Sequence, residues 1–174
     1  METLKAILSR KSVRAYKPEQ ISEKTLEMIL QAGCHAPVAS GQYDAIQITV
    51  VQDPEILKQL AQISSDMVYD LLNVRKNMDF GAKTLIIVSS LPAKMPGIEY
   101  ANAACILENT VLAAADQNVD SLLWGGAAAA AGQNAEIKKK LGIPENYKPL
   151  LCASFGYAAV QEGPKTHTIS VNRV

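Results

Sequence analysis

Apolar residues near the start of the chain recur at helical spacing: Leu4, Ile7 and Leu8 predict a helix over residues 3–11. Residues 13–16 read as extended and end at Pro18. Ser22 can cap a second helix that turns Leu26, Ile29 and Leu30 inward, with Gly33 as its stop. Residues 34–45 lose the helical period, contain Pro37 and Gly41, and predict a loop. The β-branched run Ile46–Val51 predicts a strand. Asp53-Pro54 then joins a capping carboxylate to a proline at the first helical position, and predicts a helix reaching about Lys76. Thr84–Ser90 is the clearest strand. Residues 100–117 are rich in Ala and Leu without Gly or Pro, which predicts a long, mostly buried helix. Asp120–Trp124 predicts a short strand leading into Gly125-Gly126. Asn134 can cap a short helix to Leu141 that Gly142 stops, and residues 150–157 form a fourth strand before a polar tail, 161–174. About four strands among about five helices define an α+β chain with its two longest helices across one sheet. No repeat, linker or low-complexity stretch divides it, so residues 1–174 read as one domain.

Composition narrows the class of protein. Of 174 residues, 48% are hydrophobic but only two are Phe and one Trp, so the core must be built mainly from Ala, Leu, Ile and Val. The 17 basic residues balance the 17 acidic ones. That argues against a nucleic-acid or membrane-surface protein, which carries a basic excess. Met1 opens directly onto an amphipathic pattern, so no signal peptide is expected, and the strongest apolar run, residues 85–88, is too short to span a bilayer. Cys34, Cys105 and Cys152 are widely spaced among apolar residues and read as reduced core thiols of a cytoplasmic protein. With only His35 and His167 available, no His-based metal site is expected.

Against this neutral background, local clusters stand out. Arg10-Lys11-Ser12-Val13-Arg14 sets three cations and a hydroxyl in five residues, where a helix gives way to extended chain. Such charge-assisted donors suit a phosphate, and Arg can grip two oxygens at once. Cations complementing a helix C-terminus are the other reading, and on spacing alone the favoured one. In Asn73-Val74-Arg75-Lys76-Asn77, Asn73 and Lys76 lie three apart and would share a helix face, offering an amide and a cation to one ligand edge; a solvated helix end is the alternative. Trp124-Gly125-Gly126 follows an apolar strand, and paired glycines let backbone amides approach a flat ligand, although a simple turn also uses them. The spacing is not that of a dinucleotide-binding Gly-x-Gly-x-x-Gly motif. Asn109, inside the apolar helix, is expected to make a structural hydrogen bond. No Ser/His/Asp or Cys/His set suggests nucleophilic catalysis.

In order, these pieces resemble the nitroreductase family of FMN proteins over nearly the whole chain. The N-terminal helix ending in Arg10-Lys11-Ser12-Val13-Arg14 is followed by Ala32-Gly33-Cys34-His35-Ala36-Pro37 and by a strand ending Val50-Val51-Gln52-Asp53-Pro54. Gly81-Ala82 precedes the central strand, Glu108-Asn109 lies in the helix, and Leu141-Gly142-Ile143-Pro144 leads to Phe155-Gly156-Tyr157. The resemblance implies a three-layer fold with a mainly antiparallel central sheet, a homodimer with FMN at the subunit interface, and ping-pong electron transfer from NADH or NADPH through flavin N5 to a small acceptor such as a nitroaromatic or quinone. It implies no catalytic side chain and no metal. Arg10, Lys11 and Ser12 would hold the phosphate and ribityl chain. Arg14 would sit at the pyrimidine side of the ring, joined by Asn73 and Lys76, where a cation stabilises the charge that develops on reduction. Trp124, Gly125 and Gly126 would run past the ring, and Lys165 and His167 match a late Lys-x-Arg pair at the phosphate, with His in place of Arg. The family's Ser-x-x-Asn-x-Gln-Pro-Trp after the Ala-Pro is absent; Val38-Ala39-Ser40-Gly41-Gln42-Tyr43-Asp44-Ala45 stands there. A protein that holds FMN without turning it over is the alternative function.

Overall fold

A computed structural model describes residues 2–160, 163 and 167–174. Among them, four strands form one antiparallel sheet in the order β1-β2-β4-β3: β1 is Ile46–Val51, β2 Thr84–Ser90, β3 Asp120–Trp124 and β4 Lys148–Gly156. Every residue of β2 is buried. Its Ile86 and Val88 join one core cluster and its Leu85 and Ile87 a second, on the opposite face. Covered on both sides, the strand needs no polar alternation, which is why it stood out as a continuous apolar run. Where Val88 pairs with Leu151 but Ser89 pairs with Pro149, the register slips by one residue. Pro149 has no N–H to give a ladder, and it lies at the β4 end that β3 does not reach.

Helices cover both faces. α1 (Thr3–Ser9) ends two residues earlier than its period suggested. α2 (Glu23–Cys34) starts at the expected Ser22 cap, whose side chain accepts from Thr25 N–H, and packs on α4 (Ile98–Asp116) over the first cluster. On the other face lie α3 (Pro54–Leu72), α5 (Gly126–Gln133) and α6 (Ala135–Lys140). The two longest helices, α3 and α4, lie across the one sheet as expected, on its opposite faces. Helix α5 was not expected. Its Ala127, Ala128, Ala130 and Ala131 are at most 1% exposed, and such small side chains give a strong helix former close contact with β4 and α3. The asparagine cap at Asn134 and the left-handed Gly142 fall as predicted.

Three other expectations change. Helix α3 stops at Leu72 instead of running to Lys76, because Asn73 caps it in the left-handed conformation (φ 51°). Cys34 and Cys105 are exposed, and only Cys152 is a core thiol. The loop predicted over residues 34–45 begins one residue later, because Cys34 still belongs to α2, and it contains two short 3-10 turns. Tyr43 O–H donates to the Ala36 carbonyl (3.2 Å), Tyr147 O–H to that of Asp44 (2.9 Å), and Ala39 N–H to Asn102 Oδ1 (3.0 Å). Asn109 does make a structural bond, its amide donating to the Ala32 carbonyl (3.1 Å), so α2 and α4 are tied.

Candidate functional site

Strand β3 is an edge of the sheet, and the chain leaving α1 runs along it. Ser12 bridges Ser121 in parallel, and Val13 N–H donates to the Ser121 carbonyl at 2.9 Å. The segment then turns under the end of β4: Tyr16 N–H donates to the Phe80 carbonyl (3.0 Å), Lys17 N–H to that of Tyr157 (2.8 Å), and Ala159 N–H to that of Ala15 (2.9 Å). Extended backbone alternates its side chains. Val13 is buried while Ser12 and Arg14 are exposed, and Lys11 is turned toward Asp120, with Nζ 3.7 Å from Oδ1. Arg10, half-buried at the C-cap of α1, and Lys11 border a hollow of about 260 Å³ that Ser9, Asn118, Asp120 and Ser121 complete.

The opposite end of β3 carries Trp124, Gly125 and Gly126. Four steps along the strand separate Asp120 from Trp124, about 13 Å. Trp124 is held from three directions. Its indole N–H donates to Ser154 Oγ (3.0 Å), its carbonyl accepts the Cys152 thiol (3.2 Å), and its ring meets Phe80 edge-on, with centroids 5.3 Å apart. Gly125 caps α5 and Gly126 begins it, so the paired glycines open a helix rather than form a simple turn. A Cβ on Gly126 would stand 2.7 Å from Trp124 Cζ3, which requires glycine there for steric reasons. Beneath this ledge Tyr16 packs on Gly156 and points its O–H at the Ser154 carbonyl (3.4 Å). Burial first, then the nearby Asp120 carboxylate, hold its phenol far above the ordinary tyrosine range. Burial likewise pushes the Cys152 thiol up to about 12. Both groups stay protonated and act as supports.

The fold therefore brings Arg10, Lys11, Ser12, Arg14, Trp124, Gly125 and Gly126 onto one edge of the sheet. It does not bring Asn73 and Lys76 onto a shared helix face. Both follow α3 and are exposed, and Asn73 lies nine residues beyond Ser64, whose Cβ faces Gly126, so about 14 Å along the helix axis. His167 is exposed in a tail without secondary structure, and Lys165 lies outside the described residues. Sequence reasoning missed Asp120, Tyr16, Phe80 and Ser154. A carboxylate opening an otherwise apolar strand was a signal for the first; the other three become significant only through packing.

Fold and site together define a three-layer α+β protein with a cation-and-hydroxyl cluster and a tryptophan–glycine ledge at opposite ends of one edge strand. The chain belongs to the nitroreductase family, whose model matches residues 7–157. It is similar to an Archaeoglobus fulgidus protein provisionally named NADH dehydrogenase/NAD(P)H nitroreductase, at 31% identity over 159 residues, covering 90% of this chain and 85% of the relative. It is also similar to a Bacteroides fragilis nitroreductase solved with bound FMN, with TM-score 0.82 and 29% identity, covering 99% of this chain and all of that one (100%). A Desulfitobacterium hafniense nitroreductase with bound FMN shares the fold at TM-score 0.86 and 23% identity, covering 99% and 100% of the two chains. No helix among the described residues is long and apolar enough to cross a membrane, and no cluster of His, Cys, Asp or Glu there could hold a metal.

Proposed function

We propose that this protein is an FMN-dependent oxidoreductase that takes reducing equivalents from NADH or NADPH and delivers them to a small acceptor of the nitroaromatic or quinone type. The observation that carries this reading is the arrangement along β3. Charged and hydroxyl donors gather at its head and a flat, close-approach ledge at its foot, in a family whose solved members include FMN complexes. An elongated ligand with an anionic end and a planar end fits that polarity. When bound, FMN would supply a two-electron carrier, able to accept hydride from the nicotinamide and give it to an acceptor that binds in turn.

The chain's own residues divide the remaining work. Arg10 and Ser12, with Lys11 beside them, hold the phosphate and ribityl end through charge-assisted hydrogen bonds. Lys165 and His167 are assigned to the same phosphate set, where only an imidazolium would add a charge. Arg14 stabilises negative charge at the pyrimidine side of the ring. Trp124, Gly125 and Gly126 present backbone amides to the ring and exclude water from one side. Tyr16, buried and hydrogen-bonded to the Ser154 carbonyl, is not a proton donor to substrate, so solvent supplies protons.

The working form in this reading is a homodimer with the flavin at the interface. Leu4 and Leu8 on α1 are each 65% exposed, Leu71 in the last turn of α3 is 81% exposed, and Ile169 in the tail 84%. Leu4 and Leu8 lie one turn apart on the same face of α1, and such a pair of open leucines suits contact with a second copy. In such a dimer Asn73 and Lys76 serve the partner's flavin, which accounts for their distance from the site in one chain.

The test is a visible spectrum. The purified protein should take up FMN, lose flavin absorbance on anaerobic addition of NADH or NADPH, and regain it when an acceptor is added. Flavin that stays oxidised with both donors rules out the enzyme and leaves an FMN-binding module. A folded, flavin-loaded monomer on dilution rules out the interface site.

A further inference from the structure

Asp120 puts a negative charge beside Arg10 and Lys11, two of the residues that the flavin reading assigns to a phosphate. It opens β3 beside Lys11, with Oδ1 3.7 Å from Lys11 Nζ, and both groups keep only 19% of their side-chain exposure. Its other oxygen accepts the Ala158 N–H at 2.9 Å. That bond fastens the start of β3 to the chain beyond β4, where Tyr16 also bridges Ala158. The carboxylate is thus fixed at two points and borders the same hollow as Arg10 and Lys11.

We propose that Asp120 limits the affinity of the phosphate end of the site: its carboxylate competes with the bound phosphate for Lys11 and leaves the flavin exchangeable. The inference rests on the flavin reading above and goes beyond it. In an extended segment where Ser12 and Arg14 are exposed, alternation puts Lys11 on the sheet side with buried Val13, and there its Nζ stands 3.7 Å from the Asp120 carboxylate. A phosphate drawn in by Arg10 and Ser12 meets a cation that already faces a carboxylate, and a like charge beside it. The partial burial of the pair keeps this field less screened than it would be at an open surface. Nothing in the hydrogen-bonding role requires the charge, since an amide oxygen at the same position accepts from Ala158 N–H equally well.

Asp120→Asn separates the two roles. The variant keeps the acceptor and removes the charge, so FMN should bind about three- to tenfold more tightly at low ionic strength, with the gain shrinking as salt is raised. Riboflavin, which lacks the phosphate, should show no gain. In a Lys11→Gln background the gain should be smaller, because no cation is left at position 11 for carboxylate and phosphate to compete for. The measurement is equilibrium titration of apoprotein with each flavin, followed by flavin fluorescence, on variants whose circular dichroism matches wild type. Asp120→Ser is the companion if the asparagine variant does not fold, and should shift FMN affinity in the same direction. Unchanged or weaker FMN binding in a folded variant overturns the proposal. So does an equal gain with riboflavin, or an undiminished gain without Lys11. Wild-type protein that takes up no FMN overturns the flavin reading itself, and this inference with it.

Discussion

Replacing Gly126 with alanine tests the ledge directly. A Cβ there lies 2.7 Å from Trp124 Cζ3, 2.9 Å from Cε3 and 3.4 Å from the Ser64 Cβ. The indole cannot simply swing aside, because its N–H is bonded to Ser154 Oγ and Phe80 meets its ring edge-on. Overpacking of this kind costs about 1–3 kcal/mol. The better helix propensity of alanine offsets at most ~1 kcal/mol of it. With the full offset, a net loss of about 0–2 kcal/mol is expected, and the displaced indole marks it even at the low end. Gly132 in the same helix is the control. The nearest atom to a Cβ there is Pro149 Cδ at 3.9 Å, an ordinary contact. Gly132→Ala should therefore stabilise by about 0.5–1 kcal/mol. Urea unfolding gives both energies, and emission of the chain's single Trp reports ring displacement in Gly126→Ala alone. A Gly126→Ala protein as stable as wild type, with unshifted emission, would refute the argument that Trp124 and Gly126 are mutually locked.

Other outcomes follow from burial and charge. Under native conditions a thiol reagent should label two cysteines per chain, Cys34 and Cys105, and reach Cys152 only on unfolding. Stability should hold below pH 9 and fall as pH rises above it. Unfolded Cys152 loses its proton near 9.0 but folded Cys152 only near about 12, and folded Tyr16 likewise keeps its proton well above the ordinary 10.0. Urea midpoints across pH 8–11 measure this, and Tyr16→Phe should flatten the decline above pH 10. Arg10→Ala should weaken FMN binding by ~1.5–3 kcal/mol if one charge-assisted phosphate contact is lost; unchanged affinity removes Arg10 from the site. Asp53→Ala removes an oxygen that accepts from Glu55 and Ile56 N–H, and should cost about 1 kcal/mol in thermal or urea unfolding.

Much of the scaffold was legible locally. All four strands lie where apolar or β-branched runs placed them, and the Ser22, Asp53 and Asn134 caps open helices as read, because strand runs and capping side chains act over a few residues. The errors share a cause. Helix α3 was expected to reach about Lys76, with no Gly or Pro between Pro54 and that point to stop the helix, while the left-handed turn of Asn73 that ends it at Leu72 is a single-residue choice. Helix α5 went unseen because four buried alanines carry almost no amphipathic signal; contact with β4 and α3 makes them a helix face. Cys34 and Cys105 sit among apolar neighbours in sequence yet point outward, since neighbours on a helix differ by 100° in direction.

The candidate site divides the same way. Its chemistry was written in the chain: three cations and a hydroxyl after α1, and a tryptophan with two glycines after a strand. That these two groups share one edge of the sheet depends on Ser12 pairing with Ser121, a contact across more than a hundred residues that no local pattern encodes. Tertiary structure also decided that Lys11 turns to Asp120, that Trp124 is locked by Ser154 and Phe80, and that Asn73 and Lys76 stand apart. Residue type sets what a side chain can do, and short-range spacing sets which helix or strand carries it. Which partner it meets depends on how the layers pack, because burial energy is indifferent to separation along the chain.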